Sequence, residues 1–278
     1  MIYLFLGLMQ KEQTSALLTE ELVLQSVLLE RAVVLTCFLP KNVPHPENMG
    51  LLLINDGQNM EELELAPMLE SMLAAGEIEP LVCVGIHTGK ERKAEYGTAR
   101  SADYMGRGAK AGAYTKFIFE ELLPLIKSTY AIGDFKEKSF AGFSLGGLSA
   151  LDIVWQYPYE FTRVGVFSGS LWWRSKGVTD GYDESTDRIM HELIKEGHYA
   201  PWLRFFFETG TQDETMDRNN NGIIDSIDDT LALIDALAEK GYDRDNDVYY
   251  LELADGKHDV ATWTRAFPVF LRWGWGTE

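Results

Sequence analysis

The segment Ala141-Gly-Phe-Ser-Leu-Gly-Gly147 places one serine between two glycines, in the spacing G-x-S-x-G. This spacing is typical of a nucleophile elbow, a sharp turn from a strand into a helix that leaves a serine hydroxyl exposed. Gly142 and Gly146 bring no side chain that would crowd such a turn. The pattern therefore predicts Ser144 as a nucleophile, with an ordinary glycine-rich connection as its structural alternative.

A serine hydroxyl needs a base that accepts its proton and an acid that orients the base. After an elbow serine, the acid precedes the histidine along the chain. Of the five histidines, only His258 lies late in the sequence, in a loop between a predicted strand and a predicted helix. His191 and His198 belong to a polar helical segment and are predicted to lie at the surface. His258 is therefore the predicted base.

The predicted acid is Asp213, which lies in the loop after the apolar run 203–208. Glu208 would still lie on that strand, and Glu214 is the nearest rival. The structural alternative for Asp213 is an aspartate that stabilises a turn.

The oxyanion of an acyl-transfer intermediate needs two backbone N–H donors. One is predicted at Leu145, the residue after the nucleophile. The other is predicted at Gln58, in the loop that follows the apolar run 51–54. Asp56-Gly57 in that loop is also a common turn pair, which is the structural alternative there.

A second motif begins four residues after the predicted acid, Asp217-Arg-Asn-Asn-Asn-Gly-Ile-Ile-Asp-Ser-Ile-Asp228. It matches the first six positions of an EF-hand loop and has carboxylates at the ninth and twelfth. Because the twelfth residue is Asp rather than Glu, the loop resembles the calcium loops of dockerins more closely. We expect a structural Ca²⁺ ion there, in an insertion at about 217–229, with a plain polar loop as the alternative. The expected ligands are Asp217, Asn219, Asn221, the carbonyl of Ile223, Asp225 and Asp228.

These residues require elements that bring them together. Apolar, β-branched runs predict strands at 22–29, 32–39, 50–55, 81–86, 138–142, 163–168, 203–208 and 247–252. Helical spacing occupies 61–73, 110–130, 145–155, 229–240 and 262–271. Such alternation predicts a mostly parallel sheet with helices on both faces. The short gap at 29–31 predicts that the first two strands pair antiparallel. With the elbow, this layout predicts a single α/β-hydrolase domain over residues 1–278.

Composition bears on whether the chain binds nucleic acid or membranes and on its cellular location. The 278 residues include 43 acidic and 25 basic side chains, for a formal net charge of -18. Such a surface repels phosphate backbones, so we expect no nucleic-acid partner. Cys37 and Cys83 lie in apolar runs and are predicted to be buried free thiols. The run 2–9 lacks the flanks of a signal peptide, and no run has the length of a membrane helix. We expect no membrane partner and favour a cytoplasmic location, with an extracytoplasmic one left open.

Taken in order, the motifs resemble the esterase family of α/β hydrolases that includes esterase D, feruloyl and acetyl-xylan esterases and the mycolyltransferases. The enterochelin-esterase-like branch is the most similar. The resemblance spans about residues 20–275 and rests on LLLINDGQN, ERKAEYG, GRGAKAGAYTKFIFEELLPLI, AGFSLGG, VFSGSLWW, ETGTQDE and GKHDVATW. It implies a triad of Ser144, Asp213 and His258. It also implies that the segment 168–173 lies beside the site. Trp172 and Trp173 in that segment are predicted to form an apolar wall for an acyl or aromatic group, with core aromatics as the alternative.

The leading hypothesis is a serine esterase that hydrolyses a small-molecule carboxylic ester through an acyl-enzyme, without an organic cofactor. One alternative is an acyltransferase of the mycolyltransferase type, which differs only in the acceptor that enters after acylation. Another is a non-catalytic, calcium-dependent binding protein on a hydrolase scaffold. The sequence leaves the acyl and alcohol groups and the oligomeric state undetermined.

Overall fold

Eight strands form one central sheet in the computed structural model, which describes residues 15–277. The strands are β1 (Leu17–Ser26), β2 (Arg31–Pro40), β3 (Gly50–Asn55), β4 (Leu81–Ile86), β5 (Lys138–Phe143), β6 (Arg163–Phe167), β7 (Arg204–Gln212) and β8 (Val248–Lys257). Their order across the sheet is β1-β2-β4-β3-β5-β6-β7-β8. The β1–β2 and β2–β4 pairs are antiparallel, and the five remaining pairs are parallel.

Helices cover both faces of this sheet. They are α1 (Leu65–Ala74), α2 (Arg92–Glu95), α3 (Ala111–Phe117), α4 (Leu123–Tyr130), α5 (Leu145–Gln156), α6 (Ile189–Glu196), α7 (Asp225–Lys240) and α8 (Val260–Trp275), with a π-helical turn at Ile118–Leu122 between α3 and α4. One core layer packs α3 to α7 against the sheet, and the other packs α1 and α8 against its opposite face. This arrangement is the α/β-hydrolase fold, so the predicted fold class is confirmed.

The central strands are buried on both faces, which explains their unbroken apolar sequences. Every residue of β3 and β4 is buried, whereas the edge strand β1 alternates between exposed and partly buried positions. β5 lies between β3 and β6 near the middle of the sheet. The carboxyl ends of the parallel strands therefore meet at one edge, where loops can combine their side chains.

The first hairpin differs from its predicted bounds. β1 begins at Leu17 and ends at Ser26, whereas the apolar pattern predicted a strand at 22–29. Ser26 pairs with Arg31, and the turn lies at 27–30, with Glu30 in the left-handed region at φ 54°. The antiparallel pairing itself is as predicted. The shift arises because pairing with β2 orders the polar stretch before residue 22.

The prediction that His191 lies at the surface was wrong. His191 is 2% exposed, because α6 packs against α7, and its Nε2 lies 2.9 Å from the carbonyl oxygen of Asp229. Burial, together with the charge of Arg188, lowers the pKa of His191 to about 3. This histidine is therefore a neutral part of the core, while His198 is exposed as predicted.

Other predictions from composition concern the two cysteines and possible membrane segments. Cys37 and Cys83 are buried free thiols, as predicted. Within residues 15–277, no helix is long and apolar enough to cross a bilayer. The apolar run 2–9 lies outside the described residues, as do the rest of 1–14 and Glu278.

Candidate active site

Ser144 lies on a sharp turn between β5 and α5. Its backbone has φ 55° and ψ −121°, a strained conformation of the kind that persists at functional sites. A Cβ atom on Gly142 would collide with the backbone of Gly146. A Cβ atom on Gly146 would lie 2.7 Å from Asp56 Oδ2, so both glycines are required by close approach. The turn has the geometry of a nucleophile elbow.

The elbow opens into a cavity of about 280 Å³ at the carboxyl edge of the sheet. Its lining residues are Ser144, Ser168, Gly169, Ser170, Trp172, Asp213, Glu214, Ser226 and His258. The structure therefore brings the three residues of the predicted triad to one cavity.

The register of the last two strands explains why the acid and the base are neighbours. Gln212 at the end of β7 pairs with Lys257 at the end of β8, across an irregularity after Gly210. Asp213 and His258 are the residues that follow this pair. Among residues 15–277, no hydrogen bond joins His258 to Asp213 or to Ser144. Catalytic hydrogen bonds are often long without substrate and tighten in the Michaelis complex.

Asp213 is held by two donors. The backbone N–H of Gly210 donates to Asp213 Oδ2 (3.1 Å), and Ser168 Oγ donates to Oδ1 (3.2 Å). Burial raises the pKa of Asp213, and these two hydrogen bonds and the charge of His258 oppose that shift. The carboxylate is thus fixed beside the imidazole.

Desolvation in the cavity lowers the pKa of His258, while the charge of Asp213 acts in the opposite direction. The next residue, Asp259, caps α8 by accepting a hydrogen bond from the N–H of Thr262 (2.9 Å). The cap fixes the backbone next to the histidine. A neutral imidazole at pH 7 can accept the proton of a serine hydroxyl.

Two backbone N–H groups are free near the elbow. Neither Leu145 nor Gln58 donates its N–H to an acceptor in the described part of the chain. Asn55 Nδ2 donates to the carbonyl of Gly146 (2.8 Å), which holds the loop after β3 against the start of α5. Gln58 lines a different cavity, of about 620 Å³, and neither Gln58 nor Leu145 is among the residues that line the cavity at Ser144. The two N–H groups therefore remain predicted oxyanion donors on the ground that they are unpaired within residues 15–277.

The sequence model of the family described as "Putative esterase" matches residues 26–273, which is most of the chain. The chain belongs to this esterase family. The uncharacterized protein YbbA of Bacillus subtilis (strain 168) is 23% identical over 228 residues, which are 80% of this chain and 84% of that protein.

Two further comparisons concern named esterases. The iron(III) enterobactin esterase of Escherichia coli (strain K12) is 30% identical over 146 residues, which are 52% of this chain and 31% of that protein. The enterochelin esterase of Shigella flexneri has the same fold, with a TM-score of 0.70 and 23% identity. That alignment covers 91% of this chain and 57% of the Shigella chain. The esterase described here therefore spans only part of the length of both proteins.

Arg92 is a site residue that the sequence reasoning missed. Its Nε and Nη2 atoms each lie 2.7 Å from a carboxylate oxygen of Asp56, a bidentate pair. Nη2 also lies 3.4 Å from the carbonyl oxygen of Phe143, directly before the nucleophile, and its charge lowers the pKa of His258. The sequence suggested Asp56 only as a turn residue, whereas in the structure its carboxylate also binds Arg92. The segment ERKAEYG was a signal for Arg92 only through family resemblance.

The two predicted wall tryptophans have different positions. Trp172 is half-buried and lines the catalytic cavity, with the guanidinium of Arg107 4.8 Å from its ring centre. Trp173 is fully buried and does not line that cavity, so its predicted place in the wall is corrected. Its Nε1 donates to Thr98 Oγ1 (3.1 Å), and its ring fills space against Gly97.

A second cavity of about 450 Å³ adjoins the first and shares Trp172 and Glu214 with it. Its other lining residues are Tyr104, Met105, Arg107, Arg174, Val178, Met216, Arg218 and Asp225. The pair of cavities has room for a group larger than acetyl.

The predicted calcium loop gathers most of its expected donors. Asp217 accepts hydrogen bonds from the N–H groups of Asn221 (3.1 Å) and Gly222 (2.9 Å), and Gly222 has φ 86°. The side-chain amides of Asn219 and Asn221 both donate to Asp228. These oxygen-bearing side chains have the donor chemistry that Ca²⁺ prefers.

Asp225 does not join this group. It accepts a hydrogen bond from the N–H of Arg218 (2.9 Å), and its other oxygen lies 3.2 Å from Arg218 Nη1. Because both oxygens of Asp225 contact Arg218, this carboxylate is not free to face an ion in the loop, and the prediction of Asp225 as a ligand is corrected. Nowhere in residues 15–277 do three His, Cys, Asp or Glu side chains form a metal-binding group. Any ion here would depend on the asparagine amides and the Ile223 carbonyl.

Proposed function

We propose that this chain is a serine esterase that hydrolyses carboxylic esters through an acyl-enzyme on Ser144. The observation that carries the proposal is the shared cavity, in which a strained elbow serine lies with Asp213 and His258. The order of these residues along the chain is that of the α/β-hydrolase triad.

In this mechanism His258 accepts the proton of Ser144 as Oγ attacks the ester carbonyl carbon. The N–H groups of Leu145 and Gln58 stabilise the oxyanion. The tetrahedral intermediate then expels the alcohol, which takes the proton from His258. A water molecule, deprotonated by His258, attacks the acyl carbonyl carbon, and the second intermediate releases the acid as Ser144 Oγ takes the proton back from His258. Asp213 orients the imidazole and stabilises its charged form throughout.

The substrate class is proposed from the two adjoining cavities. Trp172 offers an apolar face between them, which suits an acyl group or an alcohol that is aromatic or medium-sized. Two relatives are named for enterobactin or enterochelin. Three arginines line the second cavity, of which Arg107 and Arg218 form ion pairs with carboxylates, and the net charge of -18 opposes the approach of anionic ligands at long range. We therefore propose a neutral carboxylic or carbohydrate ester.

The test is hydrolysis of p-nitrophenyl esters of increasing acyl length by wild type and Ser144→Ala. We expect Ser144→Ala to lose a factor on the order of 10⁴ or more in kcat/KM. A preference for acyl groups longer than acetyl would support use of the second cavity. Undiminished hydrolysis by Ser144→Ala, or none by wild type with any ester, would overturn the proposal.

We also propose that the loop 217–228 holds a structural Ca²⁺ ion. Asp217, Asn219, Asn221, the Ile223 carbonyl and Asp228 would be its ligands. Two carboxylates with neutral partners imply modest affinity. Because the loop begins four residues after Asp213, the ion would brace the acid and take no part in the chemistry.

A further inference from the structure

A second carboxylate lies beneath the predicted triad acid. Glu208 is on β7, is 1% exposed and belongs to no ion pair within the described residues. Its Oε1 is buried without a hydrogen-bond partner. Its Oε2 lies 3.5 Å from Ser168 Oγ, the same hydroxyl that donates to Asp213. The proposed mechanism has no use for this group.

Ser168 connects the two carboxyl groups. Its hydroxyl has one proton and two acceptor lone pairs. Trp263 Nε1 donates to Ser168 Oγ (3.0 Å), which occupies one lone pair. The single proton can serve Asp213, at 3.2 Å, or Glu208, at 3.5 Å, but not both. If Glu208 is protonated, it can donate to the remaining lone pair, and the Ser168 proton stays on Asp213.

We propose that Glu208 is a positioning residue that acts in its neutral form, donating a hydrogen bond to Ser168 Oγ and so keeping the Ser168 proton on Asp213. This inference rests on the proposed role of Asp213. When Glu208 ionises, two carboxylates compete for one proton and repel each other. Asp213 then loses a fixed donor, and the orientation of His258 is weakened.

The surroundings favour the neutral form of Glu208. Burial and the negative charge of Asp213 raise its pKa to about 8. From α8, Arg265 favours the charged form, but that guanidinium is exposed and paired with Asp255 (2.8 Å). From β8, Tyr250 is a neutral phenol whose hydroxyl donates to Glu252 (2.9 Å).

The experiment is the pH dependence of kcat for p-nitrophenyl acetate, with Ser144→Ala as the blank at each pH. In wild type we expect activity to fall roughly tenfold as pH rises through about 8, comparable to one weakened hydrogen bond to a charged group. In Glu208→Gln the side chain is always neutral and its amide still donates. We therefore expect this descending limb to be absent, with a smaller loss at pH 7 than in Glu208→Ala.

Glu252→Gln is the matched control, because it removes the same charge from β8 without contact to Ser168. Its descending limb should match that of wild type. A wild-type profile without a descending limb contradicts the proposal, whatever the variants do. So does a limb that persists in folded Glu208→Gln, as judged by circular dichroism. If the esterase assignment itself fails, wild type shows no hydrolysis above the Ser144→Ala blank, which is a distinguishable result.

Discussion

At the scale of single residues, two adjacent carboxylates, Asp213 and Glu214, are candidates for the triad acid, and their hydrogen bonds distinguish them. Both line the cavity and burial raises the pKa of both, but Asp213 accepts hydrogen bonds from Gly210 and Ser168, whereas no side-chain hydrogen bond holds Glu214 within residues 15–277. A carboxylate whose own position is fixed can hold a neighbouring imidazole in one tautomer and orientation. The local contacts thus favour Asp213 as the acid.

We expect Asp213→Asn to lower kcat by several orders of magnitude, because an amide can favour the wrong imidazole tautomer. Glu214→Gln should retain most of the activity. Steady-state kinetics of both variants on one ester provide the comparison. If Glu214→Gln is the more damaging change, the acid has been misassigned by one residue.

Titration of the predicted base, His258, should determine the acidic limb of the pH profile of kcat/KM. His258 is active when neutral, so kcat/KM should rise with pH as it loses its proton. Because desolvation lowers its pKa, the midpoint should lie below 6.5, the ordinary value for histidine. Asp213 favours the charged imidazole, so Asp213→Asn should move the midpoint lower still. A midpoint above 6.5 in wild type would contradict this description of the site.

At the scale of elements, the sequence predicted the strands and the turn whose residues form a local pattern. The buried runs of β3, β4 and β5 are continuous and apolar, and their predicted bounds are within one residue of those observed. The elbow was also predicted from the sequence, because its G-x-S-x-G spacing is local and Gly142 is required by contact with the backbone of Gly146.

Features that depend on distant packing could not be predicted in this way. His191 lies in a polar helix but is buried by α7, and Trp173 is enclosed by glycines from another segment. Arg92 reaches the site through an ion pair with Asp56, 36 residues earlier. Asp225 fits a ligand pattern, yet Arg218 takes its carboxylate. The partners of His191, Trp173 and Arg92 lie outside the local pattern, whereas Arg218 lies within the loop motif, which does not show which carboxylate the guanidinium contacts.

The calcium loop gives a prediction for an element. Addition of Ca²⁺ to chelated wild type should raise the melting temperature, with a free-energy gain of RT ln(1 + [L]/Kd), and EDTA should reverse it. Asp217→Ala should abolish the shift. Asp243→Ala is the matched control, because Asp243 also stabilises a turn through backbone N–H groups but lies outside the loop. A wild type that melts equally with EDTA and with Ca²⁺ would show that the loop is only a polar turn.

At the scale of the whole molecule, charge should select among substrates. A net charge of -18 lowers the local concentration of anions around the protein, and salt screens this effect. We expect kcat/KM for p-nitrophenyl hemisuccinate to rise several-fold, in order of magnitude, between about 10 mM and 0.5 M NaCl. The value for p-nitrophenyl butyrate, which is similar in size and neutral, should change little. Equal salt dependence of the two esters would contradict this electrostatic argument.

An activated nucleophile at Ser144 should react covalently with an electrophilic phosphonate. Wild type and Ser144→Ala would be incubated with a fluorophosphonate, and the adduct counted by intact mass and located by peptide mapping. Ser170→Ala is the control, because its hydroxyl lies 3.4 Å from that of Ser144 in the same cavity. We expect one adduct per chain on Ser144 in wild type and in Ser170→Ala, and none in Ser144→Ala. An unlabelled wild type, or an adduct on Ser170, would contradict it.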